Sequence, residues 1–248
     1  MHTLTLEDYN NALSDYNEAI KLDRSNAMFF NNRGDAYSNL EDYNNALSDY
    51  NEAIKLNPSD AWYFNNRGVA YYNLKNYSAA LSDFNEAIKL DNSIANYFYW
   101  RGRIYSILEN DNAALKDFNE AIKLDPSNAS SFYWRGMAYS SLENYSQAIQ
   151  DFSKAIKLDP SDADYFYFRG LTYDILEDYD NALSDYNEAI KLDNSNADYF
   201  YWRGNAHSNL GNNERAIQDY EKALRIEPGT EMYQDALKDA RKALKKWW

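Results

Sequence analysis

The dipeptide Arg-Gly recurs at Arg33, Arg67, Arg101, Arg135, Arg169 and Arg203, and the step is 34 residues every time. No insertion interrupts the period, so whatever surrounds one arginine is repeated around the other five, and the chain is one small unit used again and again. A unit of that length cannot bury an apolar face alone. It becomes stable by covering a neighbour, which restricts the chain to an array of stacked repeats.

Each period carries the pattern of two helices. In the first half, Ala27, Phe30, Tyr37 and Leu40, with their equivalents in the later repeats, fall at steps of three, four and seven and mark an amphipathic helix. The second half, for example "YNNALSDYNEAIKL" from Tyr43, places Ala46, Leu47, Tyr50, Ala53 and Ile54 on another such stripe. All four prolines (Pro58, Pro126, Pro160 and Pro228) stand just past the second stripe, where a helix stops. Where proline is missing, Asn92 and Asn194 supply turn chemistry. A serine follows each turn, at Ser25, Ser59, Ser93, Ser127, Ser161 and Ser195, and is expected to cap the next first helix.

The period predicts a single array over residues 1–248, with an unpartnered second helix at 7–22 and six full repeats at 27–60, 61–94, 95–128, 129–162, 163–196 and 197–229. Residues 230–248 form a further helix, with Tyr233, Leu237, Ala240, Leu244 and Trp247 on the face that would cap the last repeat. The start in mid-repeat and the unbroken step also fit an excised or engineered array.

Composition narrows the function. Apolar residues make up 45% of the chain, enough for a sizeable core, and there is no cysteine, which excludes disulfides, thiolate metal sites and cysteine nucleophiles. The absence of cysteine, with no signal-peptide pattern at "MHTLTLEDYN" and no apolar run of about 18 residues, gives the expectation of a cytoplasmic protein outside the membrane. A net charge of -14 opposes phosphate backbones and anionic lipid, so nucleic acid is not an expected partner.

Chemistry-bearing motifs are lacking. Two histidines, His2 and His207, cannot make a clustered metal site, and no HExxH, P-loop or glycine-rich phosphate motif occurs. Acidic turns such as "LEDYDNA" at Leu176 lack the ligand spacing and central glycine of a calcium loop. No enzyme, cofactor or metal is expected. The recurrent arginine has aspartate companions at Asp15, Asp49, Asp83, Asp117, Asp151, Asp185 and Asp219, one in its own repeat and one in the repeat before. It reads as half of an internal ion pair rather than as an anion-binding ladder.

These residues resemble the tetratricopeptide repeat over residues 7–248. The second full repeat matches the family pattern at Phe64, Gly68, Tyr71, Ala80, Phe84 and Ala87, with Asn92 in the place of proline. Departures are arginine before the glycine, glutamate more often than glycine between the helices, and His207 where the other repeats have tyrosine. The resemblance implies an all-α, right-handed superhelical solenoid whose first helices line a concave groove and whose work is protein–protein interaction.

Carried onto this sequence, the groove-facing places of the family are Met28, Asn31 and Asp35; Trp62, Asn65, Val69 and Tyr72; Asn96, Tyr99 and Arg103. The later repeats supply Tyr133 and Met137; Asp164, Tyr167, Leu171 and Asp174; Asp198, Tyr201 and Asn205. After two repeats with "NN" at Asn31–Asn32 and Asn65–Asn66, the array switches to aromatic pairs such as Tyr99–Trp100. Four bulky residues in succession, as in "YFYWRG" from Tyr97, point in nearly all directions around a helix and serve more than one purpose. A mildly acidic surface rich in aromatic and amide groups suits a neutral-to-basic peptide, extended or helical. The chaperone-type clamp for a C-terminal carboxylate is not expected, because asparagine, tyrosine or another aromatic stands at its lysine and arginine places. The alternative reading is self-assembly, copies packing end to end as a homo-oligomer. The tail "KDARKALKKWW" adds a basic helix end that fits a solvated cap or a contact with an acidic partner.

Overall fold

The computed structural model describes residues 5–245. Trp247 and Trp248, expected on the capping face and in a partner contact, lie outside the described residues. The described chain is helical without strands and divides at Pro126/Ser127 into two compact bodies. The N-terminal body holds α1 (Leu6–Leu22), α2 (Ala27–Asn39), α3 (Tyr43–Leu56), α4 (Ala61–Asn73), α5 (Tyr77–Leu90), α6 (Ala95–Ile107) and α7 (Asp111–Leu124). The C-terminal body holds α8 (Ala129–Ser141), α9 (Tyr145–Leu158), α10 (Ala163–Ile175), α11 (Tyr179–Leu192), α12 (Ala197–Asn209), α13 (Asn213–Ile226) and α14 (Glu231–Lys245).

Within each body every even-numbered helix up to α12 pairs with the odd-numbered helix after it as a hairpin, and each hairpin packs on the helix before it. First helices also touch one another, α2 on α4 on α6 in one body and α8 on α10 on α12 in the other. Helix α14 lies against α13, where Leu237 and Ala240 close over Ala216 and Tyr220.

Both helix ends have local causes. Asn26, Asp60, Asn128, Asp162 and Asn196 accept hydrogen bonds from backbone N–H groups at the start of their first helices, while Ile94 before α6 has no side chain able to do so. The serines expected as caps stand one residue too early. Ser25, Ser93, Ser161 and Ser195 instead donate, through N–H and Oγ, to Asp23, Asp91, Asp159 and Asp193 at the end of the preceding helix. Those bonds hold the four carboxylates below their ordinary pKa range.

Between the helices of each hairpin the chain enters the left-handed region. Glu41, Lys75, Glu109, Glu143 and Glu177 have φ of 57 to 59°, and Gly211 has φ 77°. The reversal is closed by a backbone bond reaching back five residues, as from Asp42 N–H to the Tyr37 carbonyl at 2.9 Å. A side chain at such φ costs about 1–2 kcal/mol, part of which glycine returns as unfolded-state entropy. Glu109→Gly is therefore expected to stabilise the chain by about 0.5–1 kcal/mol, read as a higher urea midpoint; an unchanged or lower midpoint would show that Glu109 is not strained.

The core sits where the two helices of a hairpin cross. Ala148, Phe152 and Ala155 of α9 are fully buried, and a Cβ added at Gly136 would stand 2.8 Å from Cε1 of Phe152. Glycine is required there by the approach of the ring, not by its backbone angles.

A second lock crosses the hairpins. Arg101 donates through Nε to Oδ2 of Asp117 and through Nη2 to Oδ1, both at 2.7 Å, while Nη1 reaches Oδ1 of Asn85 in the preceding hairpin at 2.7 Å. Its guanidinium also lies over the Phe98 ring, 5.7 Å from the centroid. The fork onto aspartate recurs at Arg33, Arg67, Arg135, Arg169 and Arg203. The hydrogen bond to Asp117 lifts the Arg101 pKa, and burial lifts that of Asp117 against the pull of the arginine. With two parallel bonds at 2.7 Å, the pair is ionised at neutral pH. The recurrent arginine is thus an internal tie to its own aspartate, and within each body it also reaches the repeat before, through an asparagine for Arg33, Arg67, Arg101 and Arg203 and through Ser153 for Arg169.

Candidate functional site

The residues expected to line a binding surface stand on the first helices, and the two bodies treat them differently. In the N-terminal body an amide row crosses α2, α4 and α6. Asn31 donates to Asp35 Oδ2 at 3.2 Å, and Asn66 donates to Asn31 Oδ1 and Asp35 Oδ1 at 3.0 Å each. Asn96 donates to Asn65 Oδ1 at 3.3 Å. Asn31 and Asn65 are only 2% exposed, so their amides hold successive first helices together and are not open to a ligand. Asp35, which also accepts the Tyr50 hydroxyl at 2.8 Å, has its pKa raised by burial.

Two large apolar side chains of α2 and α4 stay open in the N-terminal body. Met28 and Trp62 are 52% and 48% exposed, and Trp62 borders a recess of about 240 Å³ with Asp35, Asn66 and Val69. Further along, Arg103 is enclosed by rings. Its guanidinium carbon lies 4.6 Å from the Trp100 centroid, 4.9 Å from Tyr72 and 5.5 Å from Tyr99, and Nη2 donates to the Tyr72 hydroxyl at 2.8 Å. The one cation expected on this surface is thus engaged with three of the aromatic residues near it.

The C-terminal body replaces amides with rings. Tyr133, Tyr167 and Tyr201 on α8, α10 and α12 each lie against a tyrosine two helices further on: Tyr165 of α10 at 5.2 Å, Tyr199 of α12 at 4.9 Å and Tyr233 of α14 at 5.1 Å between centroids. Each also meets the aromatic residue after it edge-on, with Tyr167 5.0 Å from Phe168 and Tyr201 5.4 Å from Trp202. All three tyrosines keep part of their surface in water, as do Met137, Leu171 and Asn205. Two expected carboxylates are engaged, since Asp164 and Asp198 accept the hydroxyls of Tyr199 and Tyr233 at 2.7 Å. Asp174 differs: burial raises its carboxyl to about 6.

The structure therefore brings Asn31, Asp35, Trp62, Asn65, Val69, Tyr72, Tyr99 and Arg103 onto the first helices of one body, and Tyr133, Met137, Tyr167, Leu171, Tyr201 and Asn205 onto those of the other. Residues outside the expected groove positions complete both sets. Asn66 bridges two repeats, and Tyr165, Tyr199 and Tyr233 receive the tyrosine stack. A signal for the latter exists: aspartates at Asp164 and Asp198 stand 35 residues ahead of Tyr199 and Tyr233.

Among the described residues no group of three or more histidine, cysteine, aspartate or glutamate side chains is placed to hold a metal ion, and no helix is long and apolar enough to cross a membrane. His207, standing for a packing tyrosine, has its pKa lowered by burial.

A family model described as "TPR repeat" matches residues 5–41, 34–75, 102–143 and 175–211, and one described as "Tetratricopeptide repeat" matches 61–93, 129–162 and 197–229. No curated protein sequence matches the chain. Among solved structures, the fold is similar to that of YrrB, a TPR protein with an unusual peptide-binding site, at 26% identity and a TM-score of 0.65, over 76% of this chain and 97% of that one. A tetratricopeptide repeat protein from Parabacteroides merdae is similar at 20% identity and a TM-score of 0.68, over 95% and 93% of the two chains. MamA is similar at 23% identity and a TM-score of 0.62, over 67% of this chain and 91% of that one. At those identities the last two speak for the fold alone.

Proposed function

Because the chain belongs to the tetratricopeptide repeat family, whose repeats serve protein–protein interaction, we propose that it is a non-catalytic scaffold binding an extended peptide or a helix along its first-helix faces. The observation that carries this reading is a set of large side chains held in place by neighbours yet open to water. Trp62 is half exposed, and Tyr133, Tyr167 and Tyr201 keep part of their surface in water while their rings lie against adjacent tyrosines. Anchors already ordered lose little entropy on binding. The net charge of -14 favours neutral-to-basic ligands over acidic ones. YrrB, with its peptide-binding site, supports the same reading by analogy of fold.

The test is selection of displayed random dodecapeptides on the wild-type chain, followed by affinity measurement for Tyr133→Ala and Tyr167→Ala. Each variant is expected to lose about tenfold in affinity, the scale of one aromatic anchor. Because both rings also pack, melting is recorded alongside. Variants that melt early yet bind selected peptides unchanged would overturn the reading.

A further inference from the structure

Among the side-chain atoms of the C-terminal body that are buried without a hydrogen-bond partner are Oδ1 of Asp174 on α10 and Oη of Tyr186 on α11. Tyr186 is 0% exposed, and the charge of Asp174 reaches it strongly enough to help raise its hydroxyl pKa. In the neighbouring repeat the equivalent hydroxyl is satisfied, since Tyr220 donates to Oδ1 of Asn205 at 2.7 Å. The place that would serve Tyr186 in the same way is taken by Leu171, which has nothing to accept with.

The period explains what is missing. Three steps of 34 residues relate the arginine enclosure of the N-terminal body to this region, so that Tyr72 corresponds to Asp174, Tyr99 to Tyr201, Trp100 to Trp202 and Arg103 to Asn205. The aromatic wall is kept in the same geometry. Tyr99 and Trp100 meet at 5.5 Å and 70°, and Tyr201 and Trp202 at 5.4 Å and 75°. The acceptor opposite that wall changes from a phenol to a carboxylate, and the guanidinium between them is replaced by a short amide that is already engaged with Tyr220.

We infer that Asp174, Tyr201, Trp202 and Asn205 form a subsite for a cationic side chain, an arginine or lysine of the bound peptide, in the place that Arg103 fills from within the chain. The inference rests on the peptide-binding reading above and names the chemistry at one point of it. A carboxylate that burial keeps from water gains a charge-assisted bond when such a side chain enters, and the two rings supply cation–π contact. In a chain of net charge -14 the complementarity extends beyond the subsite.

The probes are the dodecapeptides selected on the wild-type chain, each remade with its arginine or lysine replaced by citrulline or norleucine. Titrations follow on the wild type, Asp174→Asn and Asn205→Arg, with circular dichroism to establish that each variant stays helical. Removal of one cation is expected to weaken binding to the wild type by about tenfold or more. The same change should have a much smaller effect on Asp174→Asn, where only the rings and the overall charge still favour the cation. Asn205→Arg, which supplies the cation internally, should likewise lose the preference, and if that variant does not fold, Asp174→Asn decides alone. Peptides that bind the wild type tightly and are indifferent to both the cation and Asp174 would overturn the subsite while leaving peptide binding intact. Recovery of no peptide at all would overturn both.

Discussion

Alanine in place of Asp117 is expected to lower the stability of the chain by about 3–5 kcal/mol, because it strands a largely buried guanidinium. Asp117 is 4% exposed and takes both arms of the Arg101 fork at 2.7 Å. Once it is gone, Arg101 keeps only Asn85 and the Phe98 ring, neither of which neutralises its charge. The surface pair Lys123–Glu120 makes the comparison: its side chains are 72% and 45% exposed, and breaking it should cost at most about 1 kcal/mol. Urea midpoints of Asp117→Ala, Arg101→Met and the double variant measure the difference. The double variant should be less damaged than Asp117→Ala, since removal of both charges leaves no stranded ion. A cost for Asp117→Ala no larger than that for Lys123→Ala would show that the fork contributes nothing beyond an exposed pair.

Phe152→Ala is expected to cost a similar amount, about 3–5 kcal/mol, for a different reason. The ring is fully buried in the crossing of α8 and α9 and fills the space that the missing side chain of Gly136 opens. The glycine and the ring are one device. Adding a methyl group at Gly136 places it 2.8 Å from the ring edge, and the resulting strain of about 1–3 kcal/mol exceeds the gain of roughly 1 kcal/mol from putting alanine in a helix. In the Phe152→Ala background that strain disappears and only the helix gain remains, so Gly136→Ala should change sign from harmful to helpful. A double-mutant cycle in melting experiments reads this coupling directly. Additive costs would mean that the helices can shift to admit the methyl group.

Much of this architecture could be read from the sequence because it depends on short distances along the chain. The step of 34 residues, the stripes at three and four, and prolines after the second helix all act within one helix or one turn, and the helices lie where those signals put them. The Arg–Asp tie was readable as a pair but not as a choice. Asp117 lies 16 residues after Arg101 and Asn85 lies 16 before, and only the crossing of two hairpins shows that the arginine serves both. The serine caps failed through an offset of one position, which the period cannot detect because Ser25 and Asn26 repeat in the same phase.

The candidate surface was legible to a smaller degree, and the reason is again distance. Whether Asn31 faces a ligand or Asn66 depends on how one repeat stacks on the next, a contact across 35 residues. The same stacking engages Asp164 and Asp198 with tyrosine hydroxyls and leaves Asp174 without a partner. A single repeat viewed alone contains none of these distinctions.

The ties at equal intervals before and behind Arg33, Arg67, Arg101, Arg169 and Arg203 also govern how a chain of this kind can change its length. Within each body, losing or gaining a few residues inside a hairpin would pull an arginine out of reach of one partner or the other, whereas losing or gaining a whole period of 34 leaves every tie matched. Duplication and loss of complete repeats is therefore the mutational route that preserves folding, and each new copy brings a surface free to drift in sequence while its interior is held constant.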